Sequence, residues 1–124
     1  MAKYRNKKVK YDGMVFDSVR ELKRYKELKL LEKTGEIKEL RTQVKYVLIP
    51  AQYETIERVG KKGQKLKPKK KLVEREVSYI ADFAYCDTKN LVDVVEDTKG
   101  FKTKDYIIKR KLMLHVHGIK INEI

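Results

Sequence analysis

The chain has 124 residues, and 31 Lys and Arg against 18 Asp and Glu give it a net charge of +13. This length fits one domain with a single sheet and two or three helices, and the charge indicates a polyanionic partner, nucleic acid ahead of an anionic membrane surface. No apolar run is long enough for a transmembrane helix, no apolar region follows the basic N-terminus as in a secretory signal, and the single cysteine, Cys86, excludes an internal disulfide and fits a reducing cytosol.

The chain opens with a basic arm, residues 1–11, which holds five basic residues and no acidic one. Such an arm can lie along phosphate, although a solvated tail is an equally good interpretation. Asp12-Gly13 then marks a tight turn, and the residues on either side of it form short extended segments.

A helix is predicted to begin at Ser18 and to end at Gly35. Ser18 and Glu21 have the spacing of a capping box, in which a hydroxyl and a carboxylate each bond a free backbone N–H. Glu21 borders the inward face, and the helix taken alone favours a capping role over a functional one. The apolar residues recur at helical spacing: Leu22, Tyr25, Leu28 and Leu31.

A strand and a basic hairpin are predicted next. Residues 43–56 alternate well enough for a strand, on which Pro50 places a bend or a bulge. Residues 60–71 contain seven lysines, no acid and almost nothing to bury, which predicts a mobile tip within a hairpin extension of residues 57–75. Because seven like charges repel one another without a counter-charge, contact with phosphate is favoured over a solvated loop.

Two strands that carry acidic residues follow the basic hairpin. Residues 73–85 and 91–99 are predicted to pair as an antiparallel hairpin, which brings Asp82 and Asp97 close across the ladder in a register that the sequence leaves open. The side-chain period of two puts Asp97 and Lys99 on one face and Glu96 on the other, where a lysine is its expected partner.

A second helix is predicted from a cap at Thr103 to Gly118, followed by a short strand over residues 119–124. His115 and His117 point to roughly opposite sides of this helix, so packing or solvation is favoured over a metal pair. The predicted inward face is mixed: Ile107, Ile108, Lys111, Leu112, Leu114 and His115. The order of the elements is therefore αβββαβ.

The paired acids point to a metal site. Burying two carboxylates without a metal or a partner costs several kcal/mol each, so they are either metal ligands or members of salt bridges. Mg²⁺ binds through few carboxylates and keeps several waters, and Asp82 and Asp97 can provide that anchor. Lys99, beside Asp97, can then orient water or offset charge on a scissile phosphate. We therefore predict a small metal-dependent nuclease.

These motifs resemble the PD-(D/E)XK nuclease superfamily, which includes restriction endonucleases, archaeal Holliday-junction resolvases and transposase-type nucleases. The resemblance rests on Asp82 followed by Asp97-Thr98-Lys99 in the αβββαβ order. A family of small phage and prophage proteins is particularly similar, and its three motifs correspond to Phe16–Glu21 (F-D-S-x-R-E), Tyr79–Phe83 (Y-x-A-D-F) and Glu96–Gly100 (E-D-x-K-G). Ala81 stands where the superfamily motif has proline.

The resemblance implies a single nuclease domain over residues 1–124, with a mixed α/β, restriction-endonuclease-like core and the basic hairpin as an extension. It implies that Asp82, Asp97 and the Thr98 carbonyl bind Mg²⁺ or Mn²⁺, and that Lys99 is the catalytic lysine. Glu21 becomes a catalytic residue and a further metal ligand, the helix glutamate that many members add to the site. The implied activity is DNA endonuclease action on duplex or branched DNA by a phage-derived protein in the host cytoplasm. A homodimer follows from the likeness to resolvases, whereas other members act as monomers.

A basic surface is predicted to contact the DNA. The helix after the motif supplies part of it, although a solvated face is an equal interpretation for Tyr106 and its basic neighbours. The predicted contact residues are Lys7, Lys8, Lys61, Lys62, Lys65, Lys67, Lys69, Lys70, Lys71, Lys102, Lys104 and Lys109. The rival hypothesis is a non-catalytic DNA- or RNA-binding protein in which Asp82, Asp97 and Lys99 form a structural ion cluster.

Overall fold

The computed structural model describes residues 7–124 and shows a four-stranded sheet with a helix on each face. Its elements are β1 (Val9–Tyr11), β2 (Met14–Phe16), α1 (Val19–Lys33), β3 (Ile37–Ile49), β4 (Gln52–Val59), β5 (Lys65–Glu74), β6 (Val77–Asp87), β7 (Val92–Asp97), α2 (Lys104–Leu112), a π-helical turn (Met113–His117) and β8 (Asn122–Glu123). The sheet has the order β3-β6-β7-β8, antiparallel except for the parallel pair β7–β8. The predicted mixed α/β fold is confirmed, with the hairpin β4–β5 inserted between β3 and β6.

The N-terminal region differs from the predicted basic arm. Val9–Tyr11 pairs with Met14–Phe16, and Asp12 and Gly13 turn the chain with φ angles of 55° and 75°. Positive φ at both central residues is the geometry of a tight hairpin turn, as predicted from Asp-Gly. The last part of the arm is therefore a strand, and residues 1–6 lie outside the described part of the chain.

Helix α1 begins and ends where the sequence predicts. The backbone N–H of Glu21 donates to the Ser18 hydroxyl at 3.1 Å, and Thr34 and Gly35 end the helix, with Gly35 at a φ of 86°. Tyr25 and Leu28 are buried, and together with Phe16, Ile37, Phe83 and Tyr85 they form the core between α1 and the sheet.

A second core lies on the other face of the sheet, under α2 and the π-helical turn. Its buried residues are Leu48, Tyr79, Ala81, Ala84, Val95, Tyr106, Met113 and Ile121. The predicted inward face of the second helix is wrong in part, since Ile108 and Leu114 are both 56 % exposed. The buried Tyr106 and Met113 take that place. None of the helices within residues 7–124 combines the length and the apolar character needed to cross a membrane.

Side chains in the β3–β6 ladder change faces at its midpoint. Alternate residues of a regular strand share a face, yet Phe83 packs in the α1 core whereas Ala81 packs in the α2 core. On β3, Leu40 packs in the α1 core and Val44 in the α2 core. The change occurs at Gln43, whose φ of 52° interrupts the pleat without shifting the register.

The basic hairpin is more ordered than predicted. Only residues 60–64 form its turn, and Lys65–Lys71 belong to β5, paired with β4. The predicted strand 43–56 breaks after Ile49 at the expected Pro50, and the predicted strand 73–85 also breaks, at residues 75 and 76. The final predicted strand is reduced to Asn122–Glu123.

Candidate active site

The strand register brings Asp82 and Asp97 together. Phe83 pairs with Glu96, so the next residue on each strand, Asp82 and Asp97, lie opposite each other without a bulge. Their carboxyl groups are close enough for each to shift the pKa of the other. Because Gln43 occupies the position opposite Asp82 on β3, Asp82 lies where the ladder changes faces and can meet groups from both layers.

Thr98 holds the Asp82 carboxylate in place. The Thr98 N–H donates to Asp82 Oδ2 at 2.9 Å, and the Thr98 hydroxyl donates to the same oxygen at 2.8 Å. The resemblance implied a role for the Thr98 carbonyl, and the structure adds two donors of the same residue that fix the neighbouring acid. Thr98 follows the last residue of β7, so its backbone N–H is not used by the ladder.

Asp97 is 1 % exposed and lies between a phenol and an ammonium group. The Tyr79 hydroxyl donates to Asp97 Oδ2, and the Lys99 Nζ lies 3.4 Å from the same oxygen. The Lys99 Nζ also lies 4.7 Å from the centroid of the Tyr106 ring. With 29 % of its side chain exposed, Lys99 places its charge at the mouth of the site.

Glu21 enters the cluster from the first turn of α1. It is 3 % exposed, which agrees with its predicted position at the inward face. Its carboxyl group lies close enough to Asp82 for that carboxylate to raise its pKa. The structure thus brings together all four residues predicted for the site: Glu21, Asp82, Asp97 and Lys99.

The carboxyl groups have strongly perturbed acidities. Burial raises the pKa of Glu21 to about 8, and the charge of Asp82 adds to the rise. Burial also raises the pKa of Asp97 to about 7, with Asp82 acting in the same direction and Tyr79 and Lys99 opposing it. Burial acts to raise the pKa of Asp82 as well, but hydrogen bonds with Asp97 and from Thr98 hold it below its usual value. Glu21 and Asp97 therefore retain protons near neutral pH, and a bound cation would displace them.

Glu96 belongs to a separate, structural ion pair. Arg24 of α1 donates to it with two bonds, Nε to Oε1 at 2.8 Å and Nη2 to Oε2 at 2.7 Å, and the Tyr85 hydroxyl donates to Oε2. Glu96 is fully buried on the α1 face, opposite to Asp97. The predicted separation of the two adjacent acids is confirmed, but the partner is an arginine where a lysine was predicted.

The acidic side chains of the site suit a cation that is bound by two carboxylates, and they do not provide a full set of protein ligands around one ion. Within residues 7–124, no group of three or more His, Cys, Asp and Glu side chains is arranged to hold a metal ion. Glu21 and Asp97 each interact with Asp82, which links the three carboxyl groups in the order Glu21, Asp82, Asp97, called here the row of acids. The pair Asp82 and Asp97 fits Mg²⁺ or Mn²⁺, which takes hard oxygen ligands and is often bound through one or two carboxylates.

Two clefts open beside this row of acids. One, of about 260 Å³, is lined by Glu21, Gln43, Phe83 and neighbours from β2 and β3. The other, of about 370 Å³, is lined by Tyr79, Lys99, Tyr106 and Lys109 among others. Sequence reasoning gave no role to Gln43 or Tyr79. Tyr79 stands in the quoted strand motif, three residues before Asp82, whereas nothing in the sequence marks Gln43.

The predicted DNA-contact lysines are dispersed over several surfaces. Those of the hairpin are all exposed. Lys102 instead pairs with Glu123 at 3.2 Å, and Glu123 also accepts a hydrogen bond at 2.7 Å from Tyr106, which is buried and unavailable to phosphate. Lys7 and Lys8 precede β1, Lys104 begins α2, and Lys109 lines the cleft beside Lys99.

His117 bonds the Val47 carbonyl oxygen at 2.7 Å, which agrees with its predicted packing role.

Fold and site together define a mixed α/β protein with a largely buried row of carboxylates and a lysine beside it. The chain belongs to a family described as a protein of unknown function (DUF1064), whose model it matches over residues 1–122. No curated protein and no solved structure matched the chain.

Proposed function

We propose that this protein is a metal-dependent endonuclease that hydrolyses phosphodiester bonds in DNA. The observation that carries the proposal is the pair of a half-buried Asp82 and a buried Asp97, with the Lys99 ammonium group 3.4 Å from Asp97 Oδ2. A net charge of +13 supports a polyanionic substrate. The motifs that resemble PD-(D/E)XK nucleases lie at these same positions.

Asp82 and Asp97 are the residues that would hold Mg²⁺ or Mn²⁺. When bound, such an ion stabilises negative charge on the phosphate and lowers the pKa of a coordinated water. Thr98 and Tyr79 keep the two carboxylates in fixed positions, which reduces the reorganisation that binding requires. The Lys99 ammonium group, at the mouth of the site, offsets charge that develops on the phosphate and orients the attacking water.

Glu21 supplies a proton acceptor next to this pair. With a pKa raised to about 8 by burial and by the charge of Asp82, Glu21 is ionised in mildly alkaline solution, where its carboxylate accepts a proton more readily than an ordinary glutamate. Its place in the row beside Asp82 suits a water that approaches from the cleft of Glu21 and Gln43.

The test is cleavage of labelled linear and branched DNAs in the presence of Mg²⁺ or Mn²⁺. We expect Asp97→Asn and Lys99→Ala to reduce the rate by about 10²-fold or more, while DNA binding is retained. The matched controls are Asp93→Asn, an exposed acid on the same strand, and Lys89→Ala, an exposed lysine in the β6–β7 turn; both should cleave like the wild type. If the wild-type protein cleaves no DNA with either metal, the proposal is wrong.

The second candidate is a nucleic-acid-binding protein without catalytic activity. It is favoured by the internal partners of the acids, since Thr98 satisfies Asp82 while Tyr79 and Lys99 satisfy Asp97. In that case no DNA is cleaved, and Asp97→Asn changes the free energy of unfolding without changing any activity.

A further inference from the structure

The hairpin β4–β5 is a direct extension of the central ladder. The β3–β6 ladder ends at the pair Ile49 and Val77, and β4 and β5 begin to pair just beyond it, at Gln52 and Glu74. At the next pair, Tyr53 and Leu72, they have returned to the register of β3 and β6. Residues 50–51 and 75–76 separate the two halves. The result is a two-stranded ribbon, residues 52–74, that projects from the sheet, and all but one of its residues are exposed.

The charge of this ribbon is concentrated on one strand but reaches both faces. β5 carries five lysines and one acid, whereas β4 carries one arginine and two acids. Residues directly opposite each other share a face, so Lys69 and Lys71, paired with Ile56 and Glu54, lie on one face. Lys70, paired with Thr55, lies on the other. Two further lysines, at residues 61 and 62, occupy the turn.

Charge on both faces favours insertion between two anionic walls over adsorption to a flat surface. A ribbon that lies on a membrane needs its cations and apolar groups on the contacting face only. The major groove of B-form DNA has a phosphate backbone on each side, and its width of about 12 Å admits a two-stranded ribbon. The exposed apolar residues of the ribbon, such as Val59 and Leu72, can contact thymine methyl groups there.

Single strands and RNA duplexes fit the ribbon less well. Proteins that bind single strands stack the bases on aromatic side chains, and the ribbon has one aromatic residue, Tyr53, located at its root. The major groove of an RNA duplex is deep and too narrow for side chains to read. Glu74 lies eight positions before Asp82, so the ribbon begins at roughly 27 Å along the strand from the row of acids, less than one turn of B-form DNA.

We propose that the ribbon of residues 52–74 inserts into the major groove of duplex DNA and so makes B-form duplex the preferred polyanion of this protein. This inference specifies the form of DNA on which the proposed nuclease acts, and to that extent it rests on the proposed function. The binding itself requires neither metal nor cleavage, and the two proposals can therefore fail separately.

The test measures affinity for a short DNA duplex in EDTA over a range of salt concentrations, by fluorescence anisotropy. The triple variant Lys67→Gln, Lys69→Gln and Lys71→Gln should weaken binding and reduce the slope of log K against log salt by about 0.9 for each phosphate contact removed. The matched control neutralises Lys33, Lys38 and Lys89, three exposed lysines near the opposite end of the ladder. It removes the same charge and should leave the slope close to that of the wild type.

A second variant deletes most of the ribbon and leaves the core unchanged. Since Thr55 pairs directly with Lys70, an Asn-Gly turn in place of residues 56–69 closes the shortened hairpin. This variant should keep the circular dichroism spectrum of the core and lose most of the preference for duplex over single-stranded DNA of the same sequence.

Equal slopes for the ribbon variant and its control would overturn the inference, as would retention of the duplex preference by the shortened protein. Aggregation of the neutralised protein with unchanged DNA affinity would also overturn it, because the lysines and Pro68 would then serve to prevent edge-to-edge pairing. If the wild type binds duplex DNA through the ribbon but cleaves nothing, only the nuclease proposal falls.

Discussion

Gln43 is a residue whose backbone conformation is unfavourable for its side chain. At a φ of 52° it occupies the left-handed region in the middle of β3, which costs a residue with a Cβ atom roughly 1 kcal/mol or more. We expect Gln43→Gly to leave the free energy of unfolding unchanged or to raise it by up to about 1 kcal/mol, measured by urea denaturation.

The neighbouring Thr42→Gly provides the matched control for that measurement. Thr42 lies in the same strand without a positive φ, so glycine there should destabilise the protein by about 0.5–1 kcal/mol. A Gln43→Gly variant as unstable as Thr42→Gly would show that the left-handed conformation of Gln43 carries no strain.

The contrast between Asp82 and Gln43 shows what the sequence can predict at the level of residues. Acids within apolar strands are conspicuous, and their spacing to Lys99 follows from the strand period, so the sequence suffices to place Asp82, Asp97 and Lys99 together. The capping box and the helical period place Glu21 at the inward face, and the resemblance to a nuclease family is what assigns it to the site. The conformation of Gln43 depends on the packing of two helices on opposite faces of one ladder, and no local pattern contains that information.

The contact between α1 and β7 depends on a buried ion pair. Among residues 7–124, Arg24→Ala leaves the fully buried Glu96 with the Tyr85 hydroxyl as its one side-chain partner. Loss of one member of such a pair typically costs about 3–5 kcal/mol. We expect a loss of that order in the free energy of unfolding, measured by urea denaturation.

The control for Arg24→Ala is Lys29→Ala on the same helix. Its ion pair with Glu32 has a distance of 3.3 Å and is largely exposed, and such pairs contribute about 0–1 kcal/mol. If the two variants lose the same stability, the Arg24–Glu96 pair does not anchor the helix.

Among the elements, α1 was predictable because cap, period and terminal glycine agree. The second helix was predictable in extent but not in its buried face. Its last turn is π-helical, from Met113 to His117, and this wider turn displaces Leu114 and the side chains after it from the 3.6-residue period. Ile108 precedes that turn and is exposed within the regular part of the helix. The break at residues 75 and 76 was missed because β5 and β6 are both extended segments.

The pH dependence of folding is a property of the whole chain. The pKa values of Glu21 and Asp97, raised to about 8 and about 7, mean that the folded protein retains protons that the unfolded chain releases above about pH 4–5. The free energy of unfolding should therefore fall as pH rises from 5 to 8, by up to about 1.4 kcal/mol per pH unit for each proton.

Urea denaturation at several pH values measures this dependence. Asp97→Asn removes one of the two titrating groups and should flatten the decline. Mg²⁺ at pH 8 should restore stability if it binds the folded carboxylates. The lowered pKa of Asp82 acts only below its usual range and leaves this window unaffected. A free energy of unfolding that stays constant or rises from pH 5 to 8 would contradict the assigned acidities.

The acidic residues of the site are carried by two different parts of the fold, the sheet and helix α1. Asp82 and Asp97 lie on adjacent strands and are tied together through Thr98, so their spacing is set by the sheet. Glu21 is carried by α1, whose position relative to the sheet depends on packing and on the Arg24–Glu96 pair. A rocking motion of the helix would therefore move Glu21 toward or away from Asp82 while the two aspartates keep their distance. The distance from Glu21 to Asp82 would thus be adjustable, whereas the distance between the two aspartates is fixed by the sheet.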